Sequence, residues 1–225
     1  MISDPTGLAT LVHREVRTGR RDDRPTRVVV ARRAYRTDPA DLWEAVTDAE
    51  RLPRWFAPVH GDLVLGGRFQ VEGNAGGVVE ACDPPRSFAI TWEMGDAVSW
   101  VTVTLVPDGA GTVLELAHEA LSDAPGAAEF WARYGPGAVG IGWDLALLGL
   151  GLHLDSGEAL DREEALGLTF TPEGREFVRR AADAWAAAAT ADGDDAGAAA
   201  EAADRTVAFY TTLPEGPGAD GPADA

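Results

Sequence analysis

Residues 39–58 read PADLWEAVTDAERLPRWFAP and combine a helix start with apolar side chains at regular spacing. Asp38 stands where a helix-capping residue is favoured, and Pro39 takes the first helical position, which proline suits. Apolar side chains then recur at helical spacing, and they are Leu42, Trp43, Ala45 and Val46. The pattern predicts a short amphipathic helix.

A second helical turn is predicted over residues 49–56, ending before Pro58. It presents three apolar side chains to the interior, which are Leu52, Trp55 and Phe56. Together the two helical pieces form a flap that follows the first strands.

From residue 59 to residue 119 the sequence changes to short β-prone runs separated by tight-turn residues. The turn signals are Gly66-Gly67, Gly76-Gly77, Pro84-Pro85, Gly95-Asp96 and Pro107-Asp108-Gly109. Strands joined in this way predict an antiparallel meander. Alternation assigns the buried face, which carries Phe88, Ile90 and Trp92 on one strand and Leu114, Leu116 and His118 on another.

Elements on either side complete the prediction. Residues 8–18 and 26–36 form a long hairpin around a charged turn at 19–25. Residues 138–154 form a core helix, whose glycines each cost about 1 kcal/mol relative to alanine. Close packing or room for a ligand would compensate for this cost, and we favour close packing.

Two more helices are predicted after the core helix. The first extends from Thr171 to residue 189, with a buried stripe of Phe177, Ala181, Ala184, Trp185 and Ala188. The last covers residues 197–210.

The stretch at 39–58 resembles the start of the SRPBCC (START-like) superfamily, specifically the branch named after the carboxy-terminal domain of the activator of the heat-shock protein 90 ATPase. Further stretches agree in order and spacing over residues 26–155. They are Gly66-Gly67-Arg68-Phe69, residues 77–86 leading to Thr91-Trp92, and Gly142-Trp143 followed by Leu147, Leu148 and Leu150.

The resemblance implies an α+β helix-grip fold of the START-like or Bet v 1-like kind, in which a curved antiparallel sheet wraps a long C-terminal helix. It also implies an internal cavity, which in relatives binds lipids, polyketides or other apolar molecules. We therefore expect a helix-grip domain at 1–155 that includes the hairpin, a helical extension at 156–212 packed on it, and a disordered tail at 213–225.

The expected cavity is apolar with a few inward polar groups, as small-molecule sites usually are. The residues expected to line it are Trp55, Phe56, Phe69, Glu80, Trp92, Trp100, Leu116, His118, Tyr134, Trp143 and Leu147. Glu80 is in register with Val78 and Cys82, so it is expected to face inward or to pair with an arginine such as Arg68. A cavity filled by the protein's own tryptophans is the alternative, and it would bind nothing small.

No metal, cofactor or catalytic residue is expected. The four histidines, His13, His60, His118 and His153, fall on separate elements without paired spacing, and Cys82 is the single cysteine. The sequence has no glycine-rich phosphate loop and no nucleophile elbow.

The net charge of −18 is unevenly spread, since residues 183–225 carry nine acids and one arginine. Such a surface repels phosphate, so no nucleic-acid partner is expected. Neither a signal sequence nor an anchor is recognised in the first thirty residues, and the apolar segment at 138–154 contains Asp144 and His153. We expect a cytoplasmic protein without a membrane partner.

Three functions remain open at this point. The first is a non-catalytic carrier or sensor of a small hydrophobic ligand. The second is a polyketide cyclase or dehydratase, which would need His118 or Glu80 near a tyrosine deep in the cavity. The third is a stress-response or co-chaperone-like interaction module, which a homodimer formed through the stripe at 171–189 would favour.

Overall fold

A computed structural model describes residues 5–213 of the chain. Eight antiparallel strands form one sheet within that range, and they are β1 (Val12–Arg21), β2 (Arg24–Tyr35), β3 (Val59–Gly61), β4 (Arg68–Val71), β5 (Gly76–Asp83), β6 (Ser87–Met94), β7 (Ala97–Asp108) and β8 (Gly111–Leu121). Their spatial order is β1-β2-β8-β7-β6-β5-β4-β3. The hairpin joins the meander through β8, so β1 and β3 lie at the two edges.

The same described range holds the helices. They are α1 (Pro5–Thr10), α2 (Pro39–Thr47), α3 (Ala127–Tyr134), α4 (Gly137–Ser156), α5 (Arg162–Gly167), α6 (Pro172–Asp192) and α7 (Ala196–Thr211), with 3-10 turns at Leu52–Arg54 and Leu168–Phe170. The long helix α4 packs on the sheet, which confirms the α+β helix-grip architecture.

Helix α2 begins as its sequence predicts. The Asp38 carboxylate accepts hydrogen bonds from the backbone amides of Ala40 and Asp41, and Pro39 is the first helical residue. Leu42 and Ala45 are fully buried. The cap and the apolar spacing together fix where the flap leaves β2.

The amino-terminal hairpin is confirmed, but its predicted turn at 19–25 is wrong. The chain reverses at Asp22 and Asp23, whose φ angles are 49° and 62°. Aspartate tolerates this left-handed region, which a type I′ hairpin turn requires at both central positions. The strands therefore continue through Gly19 and Pro25, and they extend closer to the turn than the Gly and Pro signals indicate.

Helix α4 is anchored to β2 by two buried polar side chains. The Arg33 guanidinium and the Tyr35 hydroxyl both donate to the carbonyl oxygen of Leu147, at 2.8 and 2.9 Å. Gly135 and Pro136 separate α4 from α3. These contacts set the depth at which α4 lies in the curved sheet.

Three glycines of α4 mark places where other groups approach the helix closely. A Cβ atom at Gly140 would lie 2.2 Å from the Trp185 ring, and one at Gly149 would lie 2.8 Å from the Trp55 carbonyl oxygen. At Gly151 it would lie 2.3 Å from the Arg33 guanidinium. The glycines therefore serve close packing, and the alternative that they leave room for a ligand is not supported.

Gly140→Ala should destabilise the protein by about 1–3 kcal/mol, because the buried Trp185 ring has nowhere to move. The gain of about 1 kcal/mol in helix propensity offsets this only in part. Gly167→Ala in α5 is the control, since a Cβ there meets nothing within 4 Å. Urea unfolding of both variants measures the difference, and equal stabilities would contradict the packing argument.

Helix α6 shares the hydrophobic core of the sheet. The predicted stripe is buried against β1, α1 and α4 through Phe177, Ala181, Trp185 and Ala188. Because the domain itself covers this stripe, the homodimer considered through it cannot form there. The predicted tail at 213–225 lies outside the described residues, apart from Leu213.

Candidate functional site

A cavity of about 340 Å³ lies between the concave face of the sheet, α4 and the flap. Its wall comprises Trp43, Val46, Thr47, Leu52, Trp55, Phe56, Val59, Leu63, Phe69, Val71, Val79, Cys82, Pro84, Phe88, Ile90, Trp92, Val101, Val103, Leu114, Leu116, Trp143, Ala146, Leu147 and Leu150. No charged side chain occurs among these described residues. The tryptophans do not fill the space, so the alternative of a self-filled cavity is not supported.

Strand alternation builds the floor of the cavity. Successive side chains on a strand point to opposite faces, so every second residue of the central strands faces inward. On β6, β7 and β8 the inward residues are Phe88, Ile90 and Trp92, then Val101 and Val103, then Leu114 and Leu116. The floor is therefore aliphatic and aromatic along its whole length.

The flap forms the opposite wall and is tied down by hydrogen bonds. The indole N–H of Trp55 donates to the carbonyl oxygen of Ala45 in α2 at 2.8 Å. Trp43 packs edge-on against Phe88 of β6, with ring centroids 6.0 Å apart. Cys82 and Pro84 are exposed, so the cavity opens between α2 and the β5–β6 turn.

A chain of hydrogen bonds lies behind one end of the cavity. The Trp143 indole N–H donates to His118 Nδ1 at 3.0 Å, which leaves the proton of the neutral imidazole on Nε2. That nitrogen is 2.8 Å from Ser99 Oγ, and the Ser99 hydroxyl donates to the carbonyl oxygen of Trp92 at 3.1 Å. Both imidazole nitrogens are thus used within the protein, and His118 positions the Trp143 ring.

Burial lowers the pKa of His118 from 6.5 to about 4. Between pH 6.5 and 4 the unfolded chain binds a proton that the folded chain does not, so stability is complete above this window and falls as the pH drops through it. From pH 7 to pH 5, wild type should lose about 2 kcal/mol more of its unfolding free energy than His118→Gln. Urea unfolding at both pH values measures this, and parallel losses would contradict the assignment.

Seven of the predicted site residues line the cavity. They are Trp55, Phe56, Phe69, Trp92, Leu116, Trp143 and Leu147. His118 lies on the buried face of β8, as its alternation predicts, but it is behind the cavity wall, where it contacts Trp143 and Trp92. Trp92, Trp143 and His118 form one aromatic cluster, with the two indoles 5.1 Å apart.

The prediction that Glu80 faces the cavity is wrong. A bulge between Val79 and Ala81 breaks the alternation of β5, so Cys82 and Val79 both face inward while Glu80 does not. The Glu80 carboxylate pairs instead with Arg21 at 3.2 Å on the convex face of the sheet. The alternative that Glu80 pairs with an arginine is confirmed, but the arginine is Arg21, because Arg68 pairs with Glu93.

Trp100 and Tyr134 are also wrongly predicted. Trp100 alternates with the inward-facing Val101, and its ring lies on the convex face, 4.1 Å below the Arg21 guanidinium. Tyr134 is on α3 and packs against Phe130 and Phe209, with centroids 5.4 and 5.6 Å away, outside the cavity. Neither side chain can touch a molecule in the cavity.

The prediction missed several wall residues. The most telling are Trp43, Cys82, Val103 and Ala146. Trp43 carried a signal in the amphipathic spacing of α2, and Val103 carried one in the alternation of β7. Cys82 carried one in its register with Glu80, the residue expected to face inward, and it keeps the inward face on the far side of the β5 bulge.

The described part of the chain offers neither a metal site nor an exposed membrane span. Within residues 5–213, no group of three or more His, Cys, Asp or Glu side chains is placed to hold a metal ion. Helix α4 is long and apolar enough to cross a membrane by length and composition, but 56% of its most apolar window is buried inside the domain. That burial is typical of the core helix of a soluble protein.

Comparison with known proteins identifies the fold and the family. The family model described as "Activator of Hsp90 ATPase homolog 1-like protein" matches residues 36–149. No curated protein matches the sequence.

Two solved structures of CalU16 from Micromonospora echinospora are similar to this chain. The solution NMR structure is 30% identical with a TM-score of 0.65, covering 81% of this chain and 97% of that chain. The crystal structure is 29% identical with a TM-score of 0.61, covering 80% of this chain and 98% of that chain.

A conserved protein of unknown function, EF2215 from Enterococcus faecalis, shares the fold alone. It is 14% identical with a TM-score of 0.50, covering 72% of this chain and 89% of that chain. The family match runs from just after β2, through α2 and the strands β3 to β8, into α4, and these elements supply nearly all of the cavity wall. The chain therefore belongs to the Activator of Hsp90 ATPase homolog 1-like family of the START-like superfamily.

Proposed function

We propose that the protein binds a small hydrophobic molecule in its internal cavity and acts as a non-catalytic carrier or sensor. The observation that carries this proposal is the cavity itself, which has about 340 Å³ of space and an uncharged wall. Small-molecule sites commonly have volumes of about 300–1,000 Å³ and predominantly apolar walls. The small-molecule binding of other domains with this fold also supports it.

The geometry favours binding over acid–base catalysis. A general base needs a free lone pair within hydrogen-bond reach of the substrate. His118 Nδ1 is occupied by the Trp143 N–H, and the other ring nitrogen is occupied by Ser99. The tyrosine and carboxylate needed for a cyclase-like dyad, Tyr134 and Glu80, lie outside the cavity.

The remaining parts of the proposal concern partners and location. The acidic net charge of −18 disfavours nucleic acid and anionic membrane surfaces as partners. The buried position of α4 fits a protein that does not span a membrane. We place the carrier or sensor in the cytoplasm, where one exposed cysteine stays reduced.

Native mass spectrometry of the purified protein, followed by solvent extraction, tests the proposal. We expect a retained apolar compound, or saturable binding when solvent-stripped protein is titrated with neutral lipids and aromatic polyketides. Such a titration can be monitored by quenching of tryptophan fluorescence, since the indoles of Trp55 and Trp143 border the cavity. A clean apo mass together with no response to any of these molecules would contradict the binding function.

A further inference from the structure

Most polar groups in the cavity wall are already satisfied by the protein. The Thr47 hydroxyl donates to the Trp43 carbonyl oxygen at 2.7 Å, and the Trp55 indole donates to Ala45 at 2.8 Å. The Trp143 indole donates to His118. A ligand cannot use these donors without breaking a bond that holds the wall together.

The indole N–H of Trp92, unlike those of Trp55 and Trp143, has no hydrogen-bond partner among the described residues. Trp92 is only 9% exposed, and its N–H donates to no atom of the described residues. Its nitrogen is not among the sealed, unpartnered side-chain atoms, which are Arg14 Nη2, Arg33 Nε, Asp144 Oδ1 and His153 Nε2. The nitrogen therefore borders open space, and the cavity is the space that this ring lines.

The Trp92 ring is also held in place. Its centroid lies 5.1 Å from that of Trp143 and 6.3 Å from that of His118. Its backbone carbonyl accepts the Ser99 hydroxyl, so the hydrogen-bond chain behind the cavity ends on the same residue. A donor that is fixed in this way binds an acceptor at little cost in side-chain entropy.

The indole of Trp43, at the mouth, is likewise unpaired in the described part of the chain. Trp43 is less deeply buried and packs edge-on against Phe88 beside the exposed Cys82. Water reaches that position more readily, which weakens a hydrogen bond as a source of selectivity. The buried indole N–H of Trp92 is therefore the donor that distinguishes one ligand from another.

The charge of the wall restricts the ligand further. No cationic side chain faces the cavity among the described residues that line it. A carboxylate placed there would lose its hydration without gaining a partner, which is strongly unfavourable. Aromatic rings, by contrast, pack well against the tryptophan and phenylalanine side chains of the wall.

From these observations we propose that the cavity selects a neutral aromatic molecule with a hydrogen-bond acceptor, such as a ketone oxygen, that receives the Trp92 indole N–H. This inference rests on the proposed binding function and names the ligand class for the same cavity. It assigns Trp92 as a specificity-determining residue.

Three matched naphthalenes test the inference by calorimetric titration. 2-Acetylnaphthalene carries the acceptor, 2-isopropylnaphthalene has a similar shape without it, and 2-naphthoate is anionic. Wild type should bind the ketone about three- to tenfold more tightly than the hydrocarbon, as expected for one hydrogen bond. It should bind the carboxylate more weakly than either neutral compound.

Trp92→Phe keeps an aromatic ring and removes the N–H, so it should abolish the preference for the ketone while retaining hydrocarbon binding. Trp100→Phe, on the convex face, is the control and should leave all three affinities unchanged. A preference that survives in Trp92→Phe, or a carboxylate that binds wild type as tightly as the ketone, would overturn the inference alone. If Trp92→Phe fails to fold, the ranking in wild type decides. Failure of all three compounds to bind wild type would overturn the binding function as well.

Discussion

Arg14→Met is expected to lower the free energy of unfolding by about 3–5 kcal/mol, because it leaves the buried Asp144 carboxylate without its charged partner. Arg14 Nε lies 3.1 Å from Asp144 Oδ2, and the two side chains are 4% and 0% exposed. The Trp185 indole donates to the same oxygen at 2.8 Å. One cluster thus joins β1, α4 and α6, so its loss should destabilise the packing of all three elements.

Two controls separate this effect from a general loss of arginine. Arg24→Met removes an exposed ion pair with Asp123 and should cost less than about 1 kcal/mol. The double variant Arg14→Met/Asp144→Leu should recover most of the lost stability, since apolar replacements of a buried pair are often neutral. Urea unfolding measures all three, and an Arg14→Met variant within about 1 kcal/mol of wild type would contradict the role of the cluster.

The second large effect is expected in the cavity. Ala146→Trp places an indole in the space of about 340 Å³ that Ala146 lines from α4. Occupation of that space should weaken binding of 2-isopropylnaphthalene by about 100-fold or more, equivalent to about 2.7 kcal/mol. The protein should stay folded, because filling an existing cavity commonly stabilises a protein.

Ala187→Trp is the matched control for this variant. Ala187 is exposed on α6, so the same substitution there adds an indole without entering the cavity. Calorimetric titration of both variants gives the comparison. Unchanged affinity in a folded Ala146→Trp variant would show that the hydrocarbon binds elsewhere on the molecule.

The sequence was sufficient for the parts of the fold that rest on regular patterns. The cap at Asp38, the alternation of β6 and β8, and the apolar stripe of α6 all predict what the structure shows. Such signals are local, so they survive without knowledge of the tertiary arrangement. The prediction of the hairpin turn was wrong because the neighbouring Gly and Pro residues suggested a longer turn, whereas Asp22 and Asp23 alone adopt the left-handed backbone angles.

The candidate site was predictable only as far as alternation holds. The bulge in β5 turned Glu80 away from the cavity and Val79 towards it, while Cys82 kept its inward face, and a bulge has no simple sequence signature. The prediction for Tyr134 was wrong for another reason. The position of α3 relative to the cavity is set by its packing against α7, which the sequence pattern does not show. The wrong assignment of Trp100 to the cavity could have been avoided from the sequence, because Trp100 alternates with the inward-facing Val101 and pairs with Glu119 of β8.

The helices that follow α4 add a feature that the resemblance alone did not predict. Asp194, in the turn between α6 and α7, accepts from Arg27 of β2 at 3.0 Å and from Trp131 of α3 at 2.7 Å. Arg27 also lies 4.3 Å over the Trp131 ring. The segment after residue 156 therefore holds α3 and the hairpin together.

The most direct test of a ligand-binding cavity is a methyl NMR titration of the intact chain with 2-isopropylnaphthalene. Val79, Val103, Leu116 and Leu147 line the cavity and supply the reporter methyls, while the exposed Val106 serves as a reference outside it. We expect saturable shifts and intermolecular NOEs at the four cavity residues and none at the reference. Unshifted cavity methyls at saturating ligand, or shifts confined to surface residues, would contradict it.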